Sequence, residues 1–161
     1  MTIKVGDKLP EATLRLLTAE GPKPVTTQEI FGGKKIVLFG LPGAFTPTCH
    51  KNHLPGFLTE EAAFKAKGVD EIAMTSVNDP FVLTEWAKAT GSAGHIAFLA
   101  DGNAEFARAL GLEFDASMGG LGVRSKRYAM LVEDGVVKLL NIEPSPGKAD
   151  LSSASHLLGQ M

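Results

Sequence analysis

The segment Gly40-Leu41-Pro42-Gly43-Ala44-Phe45-Thr46-Pro47-Thr48-Cys49-His50 concentrates the residues best suited to chemistry, and its cysteine is the chain's one thiol. The β-branched and apolar run Ile36–Phe39 precedes it, and the Gly- and Pro-containing stretch then opens a helix. Ligands of α/β proteins gather at such strand-to-helix loops. Thr46 is a suitable N-cap, and Pro47 then falls at the first helical position, where a missing N–H costs nothing. Cys49 thereby enters the first turn, where free backbone N–H groups and the helix dipole favour negative charge. The chemistry this implies is that of a nucleophilic thiolate. A lone cysteine is more often a packing residue, but packing alone requires no such loop.

Other reactive side chains lie near it in sequence. Cys49 and His53 are four apart and can share a helix face, which permits a Cys–His pair or two ligands of a metal site. Pro55 follows closely and no third or fourth ligand is apparent, so His53 is expected to cap or pack the helix. Arg124, Lys126 and Arg127 form a basic group, and strand alternation sends Arg127 to the face opposite Lys126. Spacing alone leaves open which arginine meets Cys49. Met74, Met118, Met130 and the single Trp86 are expected to be packing residues. Gly119-Gly120-Leu121-Gly122 does not lead from a strand into a helix, so it is no phosphate loop.

These residues need a scaffold, and the hydrophobic pattern supplies one. Apolar runs at Thr13–Leu17, Ile36–Phe39, Ile72–Val77 and His95–Leu99 read as strands, with Glu20-Gly21-Pro22-Lys23-Pro24 a loop after the first. Helical patterns at Thr59–Lys67, Pro80–Thr90 and Ala104–Leu110 alternate with them, which predicts parallel βαβ units. Arg127–Val132 and Val136–Ile142 are joined by Glu133-Asp134-Gly135, an antiparallel hairpin signal. A last helix is expected from Asp150, as N-cap, to about Leu158. The order predicts an α/β protein of thioredoxin-like fold: three layers, α/β/α, with a mixed sheet, extra N-terminal segments and a C-terminal β-β-α unit.

Composition sets the outer limits. At 161 residues the chain is read as a single domain, residues 1–161. With 44% hydrophobic and 21% charged residues it can build a core without disulfides or a structural metal. Sixteen Lys+Arg against eighteen Asp+Glu give a net charge of −2, which offers no footprint for nucleic acid or an anionic membrane. The N-terminus resembles neither a secretory signal nor a transit peptide, so a cytoplasmic location with a free thiol is expected.

Pro42, Thr46 and Cys49 form a Pro-x-x-x-Thr-x-x-Cys pattern that resembles the active-site motif of the peroxiredoxins. The string from Pro42 to Cys49, with His53-Leu54-Pro55-Gly56-Phe57 after it, is similar to the subfamily containing plant type II and mammalian type five enzymes. The likeness continues through Ser76-Val77-Asn78-Asp79-Pro80-Phe81 and Arg124-Ser125-Lys126-Arg127-Tyr128. It implies a thiol-dependent peroxidase that reduces hydrogen peroxide and organic hydroperoxides through a Cys49 sulfenic acid. By the same resemblance Thr46 holds thiolate and peroxide, Pro42 shields the site, and Arg127 is the arginine that pairs with sulfur and polarises the O–O bond. Gly43 and Phe45 are implied at the substrate. No cofactor is implied.

One departure bears on turnover. The strand position that carries a cysteine in plant relatives is Met74, and no resolving cysteine follows Cys49. The resemblance therefore implies an external reductant: glutathione, with or without glutaredoxin, and thioredoxin second. A homodimer through loops near the site is also implied, with Phe45, Phe81 and Leu112 as contact candidates. The alternative is a peroxide-sensing regulator or holdase that uses the same Cys49.

Overall fold

The computed structural model describes residues 1–161. Its centre is a seven-stranded sheet in the order β2-β1-β5-β4-β3-β8-β9. The strands are β1 (Thr13–Thr18), β2 (Gly21–Thr26), β3 (Lys35–Gly40), β4 (Glu71–Ser76), β5 (Ala97–Ala100), β8 (Tyr128–Glu133) and β9 (Val136–Ile142). β3 pairs in parallel with β4 and β4 with β5, whereas β8 runs antiparallel to β3. The sheet is therefore mixed, as the order of patterns predicted.

β3 is buried from Ile36 onward because both its faces carry helices. Val37 and Phe39 enter one core, Ile36 and Leu38 the other. The first core packs under α2 (Leu54–Thr59), α3 (Glu61–Ala66), α4 (Pro80–Thr90) and α6 (Ala154–Gln160) through Phe57, Phe64, Trp86 and Leu157. The second packs under α1 (Thr27–Phe31) and α5 (Glu105–Leu110) through Phe31, Phe106 and Leu110. Two cores on one sheet give the three α/β/α layers of the thioredoxin-like fold.

Four local readings need correction. Pro22 and Pro24 lie not in a loop but in β2, paired with Leu17 and Arg15 of β1. β2 is an edge strand, where the missing N–H groups are tolerated and the edge is blunted. The helix expected over Thr59–Lys67 is split at Glu60 into α2 and α3. The last helix is capped by Ser153, which accepts from the His156 N–H at 3.2 Å, rather than by Asp150. The backbone before it is tied elsewhere, since the Leu151 and Ser152 N–H groups bond the Glu143 carboxylate. Met118 is fully exposed rather than packed. It sits between β6 (Glu113–Asp115) and β7 (Val123–Ser125), which form a separate small hairpin.

The C-terminal hairpin turns at Asp134 and Gly135, both with positive φ, 47° and 78°. That is the type I′ geometry the Asp-Gly pair predicts. At the other end of β3, Gly40 lies opposite Tyr128 of β8. A Cβ at Gly40 would overlap the buried Tyr128 ring. Gly40→Ala is therefore expected to lower stability by about 1–3 kcal/mol, the usual cost of overpacking. Denaturant unfolding checks this: an unchanged midpoint would show that the ring has room to move.

Candidate active site

The loop after β3 is held from three sides. The Leu41 N–H donates to Thr75 O on β4 at 3.2 Å, and the Ala44 N–H donates to Asn78 Oδ1 at 3.0 Å. Arg124 of β7 donates from Nη1 to Pro42 O at 3.1 Å. A Cβ on Gly43 would meet that Nη1 at 2.6 Å, so glycine is what lets the arginine reach the loop. Phe45 completes the turn in the left-handed region, with φ of 64°.

Helical backbone begins at Pro47, and the His50 N–H donates to Thr46 O at 2.9 Å. Thr46 thus stands at the N-cap by its backbone. Its hydroxyl, however, does not cap; it donates to Gly43 O at 2.7 Å. The hydroxyl proton is thereby committed, and Oγ1 faces any incoming group as an acceptor. Cys49–His53 form a π-helical turn in which the Leu54 N–H bonds Cys49 O. Pro55 has no N–H, so the ordinary i→i−4 ladder cannot run through it. Widened turns of this kind recur at functional sites.

Strand alternation settles which arginine meets the sulfur. Ala129 and Leu131 of β8 enter the same core as Cys49, while Tyr128, Met130 and Val132 enter the other. Arg127 shares the parity of Ala129 and Leu131, and its Nη2 lies 3.1 Å from Cys49 Sγ. Arg124 instead anchors the loop. Both Arg127 and Cys49 are buried.

Each of the three guanidinium nitrogens has a neutral partner. Nε and Nη2 donate to Pro146 O at 3.2 and 3.0 Å, and Nη1 approaches His53 Nδ1 at 3.1 Å. No carboxylate pairs with it. A buried cation without a counter-charge is costly. The sulfur is the one contacting atom able to supply a negative charge.

His53 is the partner whose role the sequence hid. Its Nε2 lies 3.0 Å from Ser152 O, an atom that can only accept, so Nε2 carries the proton. Nδ1 must then accept from Arg127. Both ring nitrogens are engaged, which leaves neither as a base for Cys49 nor as a metal ligand. Burial, then the Arg127 charge, hold His53 down to about 3, against a smaller opposing effect of the Ser152 carbonyl. Phe39 and Phe57 pack edge-on against the ring.

A cavity of about 460 Å³ opens onto this arrangement, lined by Pro42, Thr46, Arg127 and Pro146 and, from the β6–β7 hairpin, Phe114 and Met118. Pro42, Thr46 and Arg127 thus line one cavity, and Arg127 links it to the buried Cys49 sulfur. Phe45 stands outside, about half exposed and stacked on His50 at 5.9 Å between ring centroids. Gly43 contributes its carbonyl. Phe81 is exposed as expected of a contact residue, whereas Leu112 is buried in the second core. Nothing in the spacing of Pro146 or Ser152 marked them, because both act through backbone carbonyls.

The neutrality of His53 has a consequence for stability. Its folded value near 3 lies below the ordinary 6.5, so the unfolded chain takes up a proton first as pH falls. Stability fully present above pH 6.5 is then lost towards pH 3 at up to ~1.4 kcal/mol per unit. Chemical unfolding across that window should show the fall, and His53→Gln should flatten part of it. Parallel profiles for the two proteins would contradict the assignment.

Comparison with known proteins agrees with this geometry. Residues 4–158 match the redoxin family. The chain is 52% identical over 162 residues to chloroplastic peroxiredoxin-2E-2 of Oryza sativa subsp. japonica, covering 98% of this chain and 72% of that relative. It is 46% identical to peroxiredoxin-2C of the same plant, covering 97% and 96% of the two chains. The crystal structure of reduced Prx3 from Vibrio vulnificus in complex with hydrogen peroxide superposes with a TM-score of 0.93 at 48% identity, over 99% of both chains. A thioredoxin-like sheet, a Pro-x-x-x-Thr-x-x-Cys loop with its buried arginine, and relatives matched along their length converge: the chain belongs to the redoxin family and is a peroxiredoxin similar to the plant type II members, in one-cysteine form.

Proposed function

We propose that this peroxiredoxin is a thiol-dependent peroxidase that reduces hydrogen peroxide and small organic hydroperoxides at Cys49. The observation that supports this most is the Arg127 Nη2 contact with Cys49 Sγ at 3.1 Å, beside a cavity that also admits Thr46. A lone pair of the Cys49 thiolate attacks the terminal peroxide oxygen. The S–O bond forms as the O–O bond breaks. Sulfur keeps the terminal oxygen and its hydrogen as a sulfenic acid, and the departing alkoxide or hydroxide takes a proton from water. Thr46 Oγ1 accepts a hydrogen bond from the peroxide O–H and so orients its terminal oxygen. Arg127 donors stabilise the charge that builds on the leaving oxygen, an effect that fixed donors supply without reorganisation. Pro42, buried over the loop, limits access of water.

Recycling needs a thiol from outside the chain, because Cys49 has no partner cysteine. Glutathione condenses with the sulfenic acid, releasing water and leaving a mixed disulfide. A second glutathione, or glutaredoxin, then frees Cys49; thioredoxin is the other candidate. We further propose a cytoplasmic homodimer that covers the exposed Phe45 and Phe81 beside the site.

Cys49→Ser should abolish glutathione-supported peroxide consumption while preserving the circular dichroism spectrum. Arg127→Ala should slow it by about 100–1000-fold, in the range for losing a fixed donor to developing charge. Arg127→Lys keeps the charge without the planar fork and should fall in between. Turnover surviving in Cys49→Ser would place the chemistry elsewhere. Fast oxidation of Cys49 with no turnover on glutathione or thioredoxin would favour the sensor or holdase reading instead.

A further inference from the structure

Arg127 owes its position to a loop that has no regular structure, residues 143–152. Three of its carbonyls reach the site: Pro146 O takes Arg127, Ser152 O takes His53, and Gly147 O accepts from Thr48 Oγ1 at 3.1 Å. Within the loop, a single backbone bond links Lys148 to Ser145. Such a stretch needs an internal closure to present three carbonyls at fixed places.

Glu143 supplies that closure. It follows β9 directly, and its N–H donates to Arg127 O at 2.9 Å. Its side chain is buried. Oε2 accepts from the Ser152 N–H at 2.9 Å and from Ser152 Oγ at 2.7 Å, and Oε1 accepts from the Leu151 N–H at 3.3 Å. No lysine, arginine or histidine pairs with it. A buried carboxylate spent wholly on the far end of its own loop is an expensive device for packing alone, since an apolar residue would fill the space without desolvating a charge. What the carboxylate adds is direction. It fixes the Leu151–Ser152 peptide units, and through them the Ser152 carbonyl that sets the His53 tautomer.

We infer that Glu143 is a positioning residue for peroxide reduction: its carboxylate pins Leu151 and Ser152, so that Ser152 O orients His53 and Pro146 O and His53 together aim Arg127 at Cys49. Glu143 touches neither sulfur nor substrate. The inference rests on the peroxidase reading and adds to it a residue remote from the reacting atoms.

Glu143→Gln is nearly isosteric but turns one acceptor into a donor that faces backbone N–H groups. The test compares full-length wild type, Glu143→Gln and Ser152→Ala by the second-order rate of Cys49 oxidation with hydrogen peroxide. In parallel, nitrogen-15 NMR of the His53 ring, assigned with His53→Asn, reports the tautomer. Glu143→Gln should unfold cooperatively and lose about 10–100-fold in rate, the scale of a misplaced catalytic group. Its His53 ring should change from a single Nε2–H form to mixed tautomers. Ser152→Ala keeps the carbonyl but loses one donor to Glu143, and should shift both readouts less in the same direction. A rate within about twofold of wild type in Glu143→Gln, too small a change for a lost transition-state contact, would overturn the inference. So would a rate loss with the His53 pattern intact. If Glu143→Gln does not fold, Ser152→Ala decides, and wild-type behaviour in both readouts overturns the inference. Wild type reacting no faster than a free thiol would instead refute the peroxidase reading, while the His53 signals would still report whether Glu143 sets the tautomer.

Discussion

A guanidinium buried without a carboxylate is the constraint around which this molecule is arranged. Arg127 is too expensive to bury unless its nitrogens find hydrogen-bond partners, and a carboxylate partner would neutralise the charge the site requires. The structure meets both demands with neutral acceptors, the Pro146 carbonyl and the His53 ring, and leaves Nη2 directed at Cys49 Sγ. His53 can serve only while neutral, because a proton on Nδ1 would face Arg127. Its burial among Phe39 and Phe57 and the adjacent Arg127 charge maintain that state, while the carbonyl at Nε2 fixes the tautomer.

The sheet makes this arrangement rigid. Arg127 immediately precedes β8, which lies beside β3, and the cysteine loop leaves the end of β3. Both ends of the Arg127–Cys49 contact are therefore anchored to neighbouring strands buried on both faces, an arrangement that holds a catalytic constellation more firmly than loops alone. The elements that lack such support, the β6–β7 hairpin and the loop after β9, border the cavity instead. Side chains tie them to the scaffold: Arg124 and the Arg108–Glu113 pair hold the hairpin, and Arg127, His53 and Thr48 hold the carbonyls of the loop.

Much of this was legible in the residues. Periodicity marked β3, β4, β9 and α4, and the Asp134-Gly135 turn identified the hairpin. The Thr46-Pro47 pair located the helix start that carries Cys49. The signals that failed have physical causes. Pro22 and Pro24 read as loop because proline is excluded from inner strands, whereas β2 is an edge. Asp150 is a good cap by type, yet the backbone before α6 was already committed to Glu143. His53 read as a capping or packing residue, and it does pack, but its bond from arginine leaves no local pattern; its partners Arg127 and Ser152 are 74 and 99 residues away. The choice of Arg127 over Arg124 came from the family resemblance, and the two-core sheet gives the physical reason for it.

The central claim is that the site raises the reactivity of one sulfur toward a peroxide oxygen. Trp86, the chain's single tryptophan, donates to His50 Nδ1 at 2.8 Å within the helical segment that bears Cys49, and offers an optical reporter. Stopped-flow fluorescence of the reduced protein mixed with hydrogen peroxide, in the absence of any reductant, measures the first step alone. The account predicts a single oxidation whose second-order rate constant exceeds that of a free thiol at the same pH by orders of magnitude. A rate constant equal to that of the free thiol would contradict it.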